Sequence, residues 1–235
     1  AGPLRKVLAK VVRDVGDIDE YVADELHMSM GELADSFCAE QVDAIAIAIW
    51  RDKQNKSTLI GDATGIGKGR ELAGFMRYKL VNRETVTFLT ENESLFKDIM
   101  RDFKDIKSDH LIRPYVVDNN KKLFDADGNV MDVGSSRRNE SILDGTVKAD
   151  EANFFIGSYF QLRSRKIRTG QKGFVKNGKN IKETSQGRLL RVIGETRTAT
   201  LVADEIHNAV THKSGTNNAL DSLMSCYGSF SCSSG

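Results

Sequence analysis

The sequence predicts an α/β protein in which a parallel sheet carries helices on both faces. Short apolar runs rich in β-branched residues recur along the chain and alternate with helical or loop segments, a pattern typical of buried parallel strands. The chain has 235 residues, 40% of them hydrophobic, and is long enough to bury one sizeable core. The predicted strands cover residues 57–62, 85–90, 115–118, 153–159, 198–205 and 227–234.

The first fifty residues predict helices rather than strands. The segment SMGELADSFCAEQVDAIAIAIW (29–50) offers Ser29 or Ser36 as the candidate N-terminal cap. Its apolar residues are too dense for a one-sided surface helix, so we expect this segment to pack against other parts of the chain. We therefore predict an N-terminal helical segment over 1–37 and one main domain over 38–235.

Two stretches within the main domain are predicted to be insertions. Residues 119–150 are rich in Asn, Asp, Gly and Ser and weak in periodicity, which predicts a loop-rich insertion. Residues 163–191 hold ten Lys/Arg and one acid, a local charge of +9 in a chain of net charge +1. Such a basic segment predicts contact with a nucleic-acid backbone, although a solvated loop is the open alternative.

Several classes of protein do not fit the sequence. It contains no run of about 18 apolar residues, and its first residues are too charged for a signal peptide. The cysteines Cys38, Cys226 and Cys232 are odd in number and lack the spacing of metal ligands. We expect a soluble intracellular protein of the cytoplasm or nucleus, without a membrane partner.

A glycine-rich turn follows the first predicted strand in LIGDATGIGKGRELAG (59–74). The residues of the turn that predict phosphate binding are Thr64, Gly65, Ile66, Gly67 and Lys68. They precede a helix predicted from Leu72, Phe75, Met76 and Leu80, so backbone N–H groups and the lysine can meet phosphate oxygens. Gly69 stands where such loops usually carry Ser or Thr, and an ordinary strand-to-helix turn stays open as the alternative.

A second motif, DEIH (204–207), ends a predicted strand. Asp204 at that strand end is a candidate magnesium ligand, and Glu205 beside it is a candidate base for the attacking water. His207 is a candidate sensor of the γ-phosphate. We expect the two motifs on neighbouring parallel strands, whereas an acid pair favoured by a helix macrodipole is the alternative for the second motif alone.

Together the two motifs resemble the first RecA-like lobe of a superfamily 2 helicase. More narrowly, GDATGIGKG (61–69) looks like the phosphate loop of Strawberry notch-type helicases, a family in which glycine is usual after the lysine. The resemblance covers residues 38–235 and implies a RecA-like P-loop NTPase fold that hydrolyses ATP with Mg²⁺. Members of this family occur in animals, phages and plasmids, so a phage origin stays open.

The resemblance also implies roles for single residues. Gln41 matches the glutamine that reads adenine, and Gly69 completes the phosphate loop. Thr90 and Tyr159 stand where such enzymes hold the nucleic-acid backbone. Independently of the resemblance, the basic segment predicts further contacts with nucleic acid, DNA in preference to RNA, from Arg163, Arg165, Lys166 and Arg168. Residues 232–234, Cys-Ser-Ser, stand where many helicases have Ser-Ala-Thr, and this departure from the pattern puts their coupling role in doubt.

Enzymes of this superfamily use a second RecA-like lobe whose arginines complete the ATP site, so we expect this chain to be part of a larger protein. Two other functions stay open. A non-catalytic nucleotide-binding or structural scaffold is favoured by Gly69 and by the altered residues 232–234. A basic nucleic-acid-binding protein without ATP chemistry is favoured by residues 163–191 alone.

Overall fold

The computed structural model describes residues 3–60, 67–146, 148–149, 151–162, 174–176, 179–181, 184–207, 220–221 and 223–233. Within these ranges the strands are β1 (Thr58–Ile60), β2 (Thr85–Thr90), β3 (Pro114–Val116), β4 (Lys122–Phe124), β5 (Val130–Val133), β6 (Phe154–Ser158), β7 (Phe174–Lys176), β8 (Lys179–Ile181), β9 (Ala199–Ala203) and β10 (Ser229–Ser233). The helices are α1 (Pro3–Val15), α2 (Ile18–Leu26), α3 (Met30–Ser36), α4 (Ala39–Asp52), α5 (Lys68–Val81), α6 (Phe96–Asp105), α7 (Ser136–Leu143), α8 (Tyr159–Leu162) and α9 (Ser185–Thr196). Short 3₁₀ helices cover Glu93–Leu95 and Asp109–Leu111.

Six of the described strands form one parallel sheet in the order β1-β10-β9-β2-β6-β3. Every residue of β2, β6 and β9 is buried. A strand that is covered on both faces has no solvent-facing residue. Its sequence is therefore a nearly continuous run of apolar and β-branched residues. This is why the sequence identified these strands.

Alternate strand residues enter two separate cores, one on each face of the sheet. Phe154 and Ile156 of β6 lie in the core that α4, α5 and α6 cover, whereas Phe155 lies in the core that α9 covers. Successive side chains of a strand point to opposite faces, so helices cover both faces of this sheet. The predicted α/β class, with a parallel sheet between two layers of helices, is confirmed.

The N-terminal helices share a core with the sheet. Val11, Leu26 and Leu33 of α1, α2 and α3 are buried in the same cluster as α4 and α5. Arg77 of α5 is buried and donates hydrogen bonds to the backbone oxygens of Leu26 (2.8 Å) and His27 (3.1 Å). The N-terminal helices therefore pack in the same core as one face of the sheet. The division of the chain into two parts at residue 37 stays a prediction.

Of the two candidate caps, Ser29 is confirmed and Ser36 is wrong. Ser29 is the N-terminal cap of α3, directly before Met30, and its hydroxyl accepts the N–H of Glu32. Ser36 is instead the last residue of α3, and α4 begins after Cys38. There the side chain of Gln41 accepts the Cys38 N–H at 3.1 Å. Gln41, rather than a serine, thus supplies a side-chain hydrogen bond at the start of α4.

The strand order corrects one expectation about the two motifs. The strand before the phosphate loop, β1, and the strand before the acids, β9, are not neighbours, because β10 lies between them and pairs with both. Connections between parallel strands pass over the face of the sheet, so a later strand can enter between two earlier ones. The order of motifs along the chain therefore did not give their order in space.

The two predicted insertions contain regular elements. Within 119–150, β4 and β5 form an antiparallel hairpin and α7 follows. Within 163–191, β7 pairs with β8 and the last residues belong to α9. Each strand has only three or four residues, too few for alternation to be recognised among the polar residues. None of the helices in the described residues is both long and apolar enough to cross a membrane.

Candidate nucleotide-binding site

The candidate site lies at the carboxyl edge of the sheet, beyond β1, β9 and β10. Residues 61–66, which include Thr64, Gly65 and Ile66, lie outside the described residues. The described part of the predicted phosphate loop begins at Gly67, with Lys68 as the first residue of α5. Crevices beyond the carboxyl ends of parallel strands are where α/β proteins bind ligands, so the predicted loop stands at the expected edge.

Gly67 has the backbone conformation that favours glycine. Its φ angle is 86°, and a Cβ atom at this position would lie 2.5 Å from Nε2 of Gln41. Both the left-handed backbone and the close approach of Gln41 therefore disfavour a side chain here. This conformation is the one from which the chain enters α5 at Lys68.

Gln41, the predicted adenine contact, is buried and joins the start of α4 to the start of α5. Its amide accepts the N–H of Cys38 and donates to the backbone oxygen of Gly67 at 3.4 Å. The side chain thus lies against the phosphate loop. Its role as an adenine contact stays a prediction.

Lys68 carries an ammonium group that the described residues do not satisfy. Its Nζ is buried and has no hydrogen-bond partner among those residues, and the side chain is only 12% exposed. An acidic atom, Oε1 of Glu205, lies 3.9 Å from this nitrogen. A buried ammonium without hydrogen bonds is costly, so this position fits an anion such as a phosphate group.

The two acids of the DEIH motif follow β9 and are fixed by backbone and serine contacts. The Asp204 N–H donates to the backbone oxygen of Leu89 in β2 at 2.8 Å. The Ser233 hydroxyl at the end of β10 donates to Oδ1 of Asp204 and accepts the N–H of Glu205 at 3.2 Å. Burial raises the pKa of the Asp204 carboxyl above its ordinary value, and the Ser233 hydrogen bond opposes that rise. The inserted strand β10 therefore brings one hydroxyl to both acids.

His207 lies beside the second acid. Its Nδ1 is 3.2 Å from Oε2 of Glu205, and its side chain is partly exposed. Glu205 thus has Lys68 near one carboxylate oxygen and His207 near the other. The four predicted catalytic residues, Lys68, Asp204, Glu205 and His207, are brought together at one edge of the sheet.

Gly69 lies against a carboxylate that sequence reasoning missed. A Cβ atom on Gly69 would lie 2.0 Å from Oδ2 of Asp102 in α6, closer than any real contact allows. Burial raises the pKa of the Asp102 carboxyl to about 6. Nothing in the sequence of α6 marks Asp102, because its proximity to Gly69 arises only when α5 and α6 pack together.

The predicted nucleic-acid contacts fall into two groups. Thr90 is fully buried at the end of β2, and its Oγ1 has no hydrogen-bond partner among the described residues. Tyr159 is also buried, and its hydroxyl donates to the backbone oxygen of Asp204 at 2.9 Å. Arg163, Arg165, Lys166 and Arg168 lie outside the described residues.

The donor set fits a nucleotide with magnesium better than a metal held by protein alone. Among the described residues, no group of three His, Cys, Asp or Glu residues is placed to hold a metal ion. Mg²⁺ is commonly held by one or two carboxylates together with substrate phosphates and water. Asp204 would be its protein ligand, and Lys68 would bind the phosphates.

Comparison with known families agrees with this geometry. The model of the family described as P-loop containing NTP hydrolase pore-1 matches residues 20–225. A comparison with curated proteins finds no match. With the parallel sheet and its two layers of helices, the family match confirms a RecA-like P-loop fold. The chain belongs to the family of P-loop containing NTP hydrolases designated pore-1.

Proposed function

We propose that this chain is the ATP-binding motor lobe of a nucleic-acid-dependent ATPase of the superfamily 2 helicase type, similar to Strawberry notch proteins. One observation carries the proposal. The buried ammonium of Lys68, which has no hydrogen bond among the described residues, lies 3.9 Å from Glu205 at the sheet edge where Ser233 joins Glu205 to Asp204. A phosphate-binding lysine next to an acid pair is the arrangement that ATP hydrolysis needs.

Each side chain of the site has a distinct task in the proposed reaction. Lys68 binds phosphate oxygens through an ammonium that has no hydrogen bond among the described residues. Asp204 would hold magnesium, which when bound neutralises charge that develops on the phosphates. Glu205 accepts the proton of the attacking water, and His207, with Nδ1 3.2 Å from Oε2 of Glu205, orients that carboxylate.

The partners of the lobe follow from charge and from the resemblance. The local charge of +9 over residues 163–191 fits the phosphate backbone of a nucleic acid, and we propose DNA. A second RecA-like lobe would supply the arginine that completes the site. Such arginines contribute about 10³- to 10⁵-fold in rate in comparable phosphoryl-transfer enzymes.

The catalytic part is tested by ATP turnover of the full-length protein with and without DNA. We expect Glu205→Gln to lower turnover by about 100-fold or more while fluorescent ATP still binds, because a general base contributes about 10²- to 10⁴-fold. Glu140→Gln, at an exposed position of α7, is the matched control and should turn over as the wild type does. Unchanged turnover in both Lys68→Ala and Glu205→Gln would refute the proposal, and magnesium-independent binding without turnover would favour a scaffold.

The nucleic-acid part is tested by the salt dependence of DNA binding. Changing Arg163, Arg165, Lys166 and Arg168 together to Gln should weaken binding. It should also reduce the slope of log K against log salt by about 0.9 for each duplex phosphate that the variant no longer neutralises. A matched control changes four exposed basic residues of α1 to Gln: Arg5, Lys6, Lys10 and Arg13. Equal weakening in the two variants would show that residues 163–191 do not bind the DNA.

A further inference from the structure

The peptide group between Asp204 and Glu205 is held by a side chain at each of its two polar atoms. The backbone oxygen of Asp204 accepts the hydroxyl of Tyr159 at 2.9 Å. The N–H of Glu205 donates to the hydroxyl of Ser233 at 3.2 Å. Tyr159 directly follows β6 as the first residue of α8, and Ser233 is the last residue of β10, so the ends of two strands converge on one peptide bond.

Glu205 adopts a backbone conformation that needs such support. Its φ angle is 51°, in the left-handed region that residues other than glycine rarely occupy. A strained conformation persists only where the surroundings determine it, and such positions cluster at functional sites. Here the conformation fixes the direction in which the Glu205 side chain leaves the backbone, toward Lys68 and His207.

Tyr159 is itself rigidly placed. Its ring is buried in the core beneath α9, with only 4% of the residue exposed. The residue before it, Ser158, donates its N–H to both carboxylate oxygens of Asp118, at 3.0 and 3.1 Å, and its hydroxyl to one of them. Asp118 follows β3, so the end of β6 is tied to the neighbouring strand just before the tyrosine.

We propose that Tyr159 is a positioning residue for the hydrolytic acid pair: its hydroxyl fixes the peptide between Asp204 and Glu205 and thereby aims the Glu205 carboxylate. This inference rests on the proposed function. It assigns the Tyr159 hydroxyl to the ATP site rather than to a nucleic-acid backbone. The hydrogen bond from Tyr159 to Asp204 also links the end of β6 to the acid pair. A shift of that strand end therefore changes the orientation of the Glu205 carboxylate.

Tyr159→Phe removes the hydroxyl and leaves the ring. In the full-length protein we expect ATP turnover to fall about tenfold, as expected for the loss of about one net hydrogen bond, while the Kd of fluorescent ATP changes less than about twofold. Tyr227→Phe is the matched control. Its ring is buried in the same core, and its hydroxyl donates to the Leu190 backbone oxygen at 2.9 Å, away from the acids. It should lower the unfolding midpoint to a similar extent without lowering turnover.

Two further measurements separate positioning from general loss of structure. In a Glu205→Gln background, Tyr159→Phe should have no additional effect on turnover, because both changes act through one carboxylate. Hydrogen exchange of the 204–207 amides should be faster in folded Tyr159→Phe than in Tyr227→Phe.

The outcomes distinguish this inference from the proposed function. Absent turnover by the wild-type protein overturns the proposed function and the inference with it. Suppose that the wild-type protein turns over ATP. If Tyr159→Phe then turns over ATP as the wild type does, or is slowed only as much as Tyr227→Phe is, the inference alone is overturned. A lower DNA affinity of Tyr159→Phe with normal DNA-independent turnover would likewise overturn it, because the hydroxyl would then serve the nucleic acid.

Discussion

The carboxylate of Asp102 fills the space in which a side chain on Gly69 would have to lie. Its Oδ2 is 2.0 Å from the position of a Cβ atom on Gly69. Asp105, one turn further along α6, binds Arg70 at 2.7 Å, which holds α6 against the start of α5. A side chain at the residue after the phosphate-loop lysine would therefore displace the Asp102 carboxylate from its present position. The packing of α6 against α5 thus favours glycine where the usual hydroxyl would stand.

Restoring the hydroxyl alone should harm the protein. Gly69→Ser forces the Asp102 side chain to move, and overpacking of this kind costs about 1–3 kcal/mol in free energy of unfolding. The double variant Gly69→Ser with Asp102→Ala should recover most of that loss, because the truncated residue vacates the space. Denaturant unfolding of the wild type, both single variants and the double variant gives the coupling energy. Additive effects of the two changes would contradict the steric explanation.

Two lysines of α5, Lys68 with a buried Nζ atom and Lys79 with a buried side chain, should respond in opposite ways to replacement by methionine. Lys68 has no hydrogen bond to lose among the described residues, so Lys68→Met should keep or raise the free energy of unfolding while ATP affinity falls about tenfold or more. Lys79 contacts Asp52 and, at 3.2 Å, Glu84. Lys79→Met should lower the free energy of unfolding by about 1–3 kcal/mol, because it leaves two partly buried carboxylates without their cation. Urea unfolding and ATP titration check both, and a destabilised Lys68→Met would contradict the proposed anion position.

Two threonines of β2 offer a similar comparison. Thr90 has a buried hydroxyl without a hydrogen-bond partner among the described residues, so Thr90→Val should leave the free energy of unfolding unchanged or raise it. The Thr87 hydroxyl lies 2.8 Å from the hydroxyl of Tyr227, and Thr87→Val should cost about 1 kcal/mol. Chemical unfolding measures both. Weaker DNA binding by Thr90→Val alone would support the predicted nucleic-acid contact, whereas equal destabilisation would show that the Thr90 hydroxyl has a partner.

The buried carboxyl of Asp118 should make stability depend on pH. Burial raises its pKa from 3.8 to about 6, so the folded state binds a proton that the unfolded state releases between these values. Stability from this group is therefore present at low pH and lost as pH rises through about 6. The difference in unfolding free energy between wild type and Asp118→Asn should fall by about 2 kcal/mol from about pH 4.5 to about pH 7.5.

Asp132 provides a control of opposite sign. Arg138 and the backbone N–H of Val116 hold the pKa of its carboxyl below the ordinary value despite burial. Its contribution is present above the ordinary pKa and is lost as pH falls. As the pH falls, the free energy of unfolding of the wild type should therefore decrease relative to that of Asp132→Asn. Relative to that of Asp118→Asn, it should increase. The same pH trend for both variants would contradict the assignment to Asp118.

The extent to which the sequence predicted the molecule differs between elements. The central strands β2, β6 and β9 were predicted because burial on both faces leaves a nearly continuous run of apolar and β-branched residues. The hairpin strands β4 and β5 were not, because three or four residues with exposed neighbours leave no readable pattern. Lys68, Asp204, Glu205 and His207 were found because each belongs to a short contiguous motif. Asp102 was not, since no local pattern links α6 to Gly69.

The sequence by itself determined which segments form the sheet and which residues carry phosphate and acid chemistry, because periodicity and short motifs are local properties. Only the tertiary structure decided that β10 enters between β1 and β9 and brings Ser233 to both acids. It also decided that Tyr159 turns its hydroxyl toward Asp204 and that Asp102 closes the space beside Gly69. These contacts join residues far apart along the chain, and their geometry depends on how strands and helices pack.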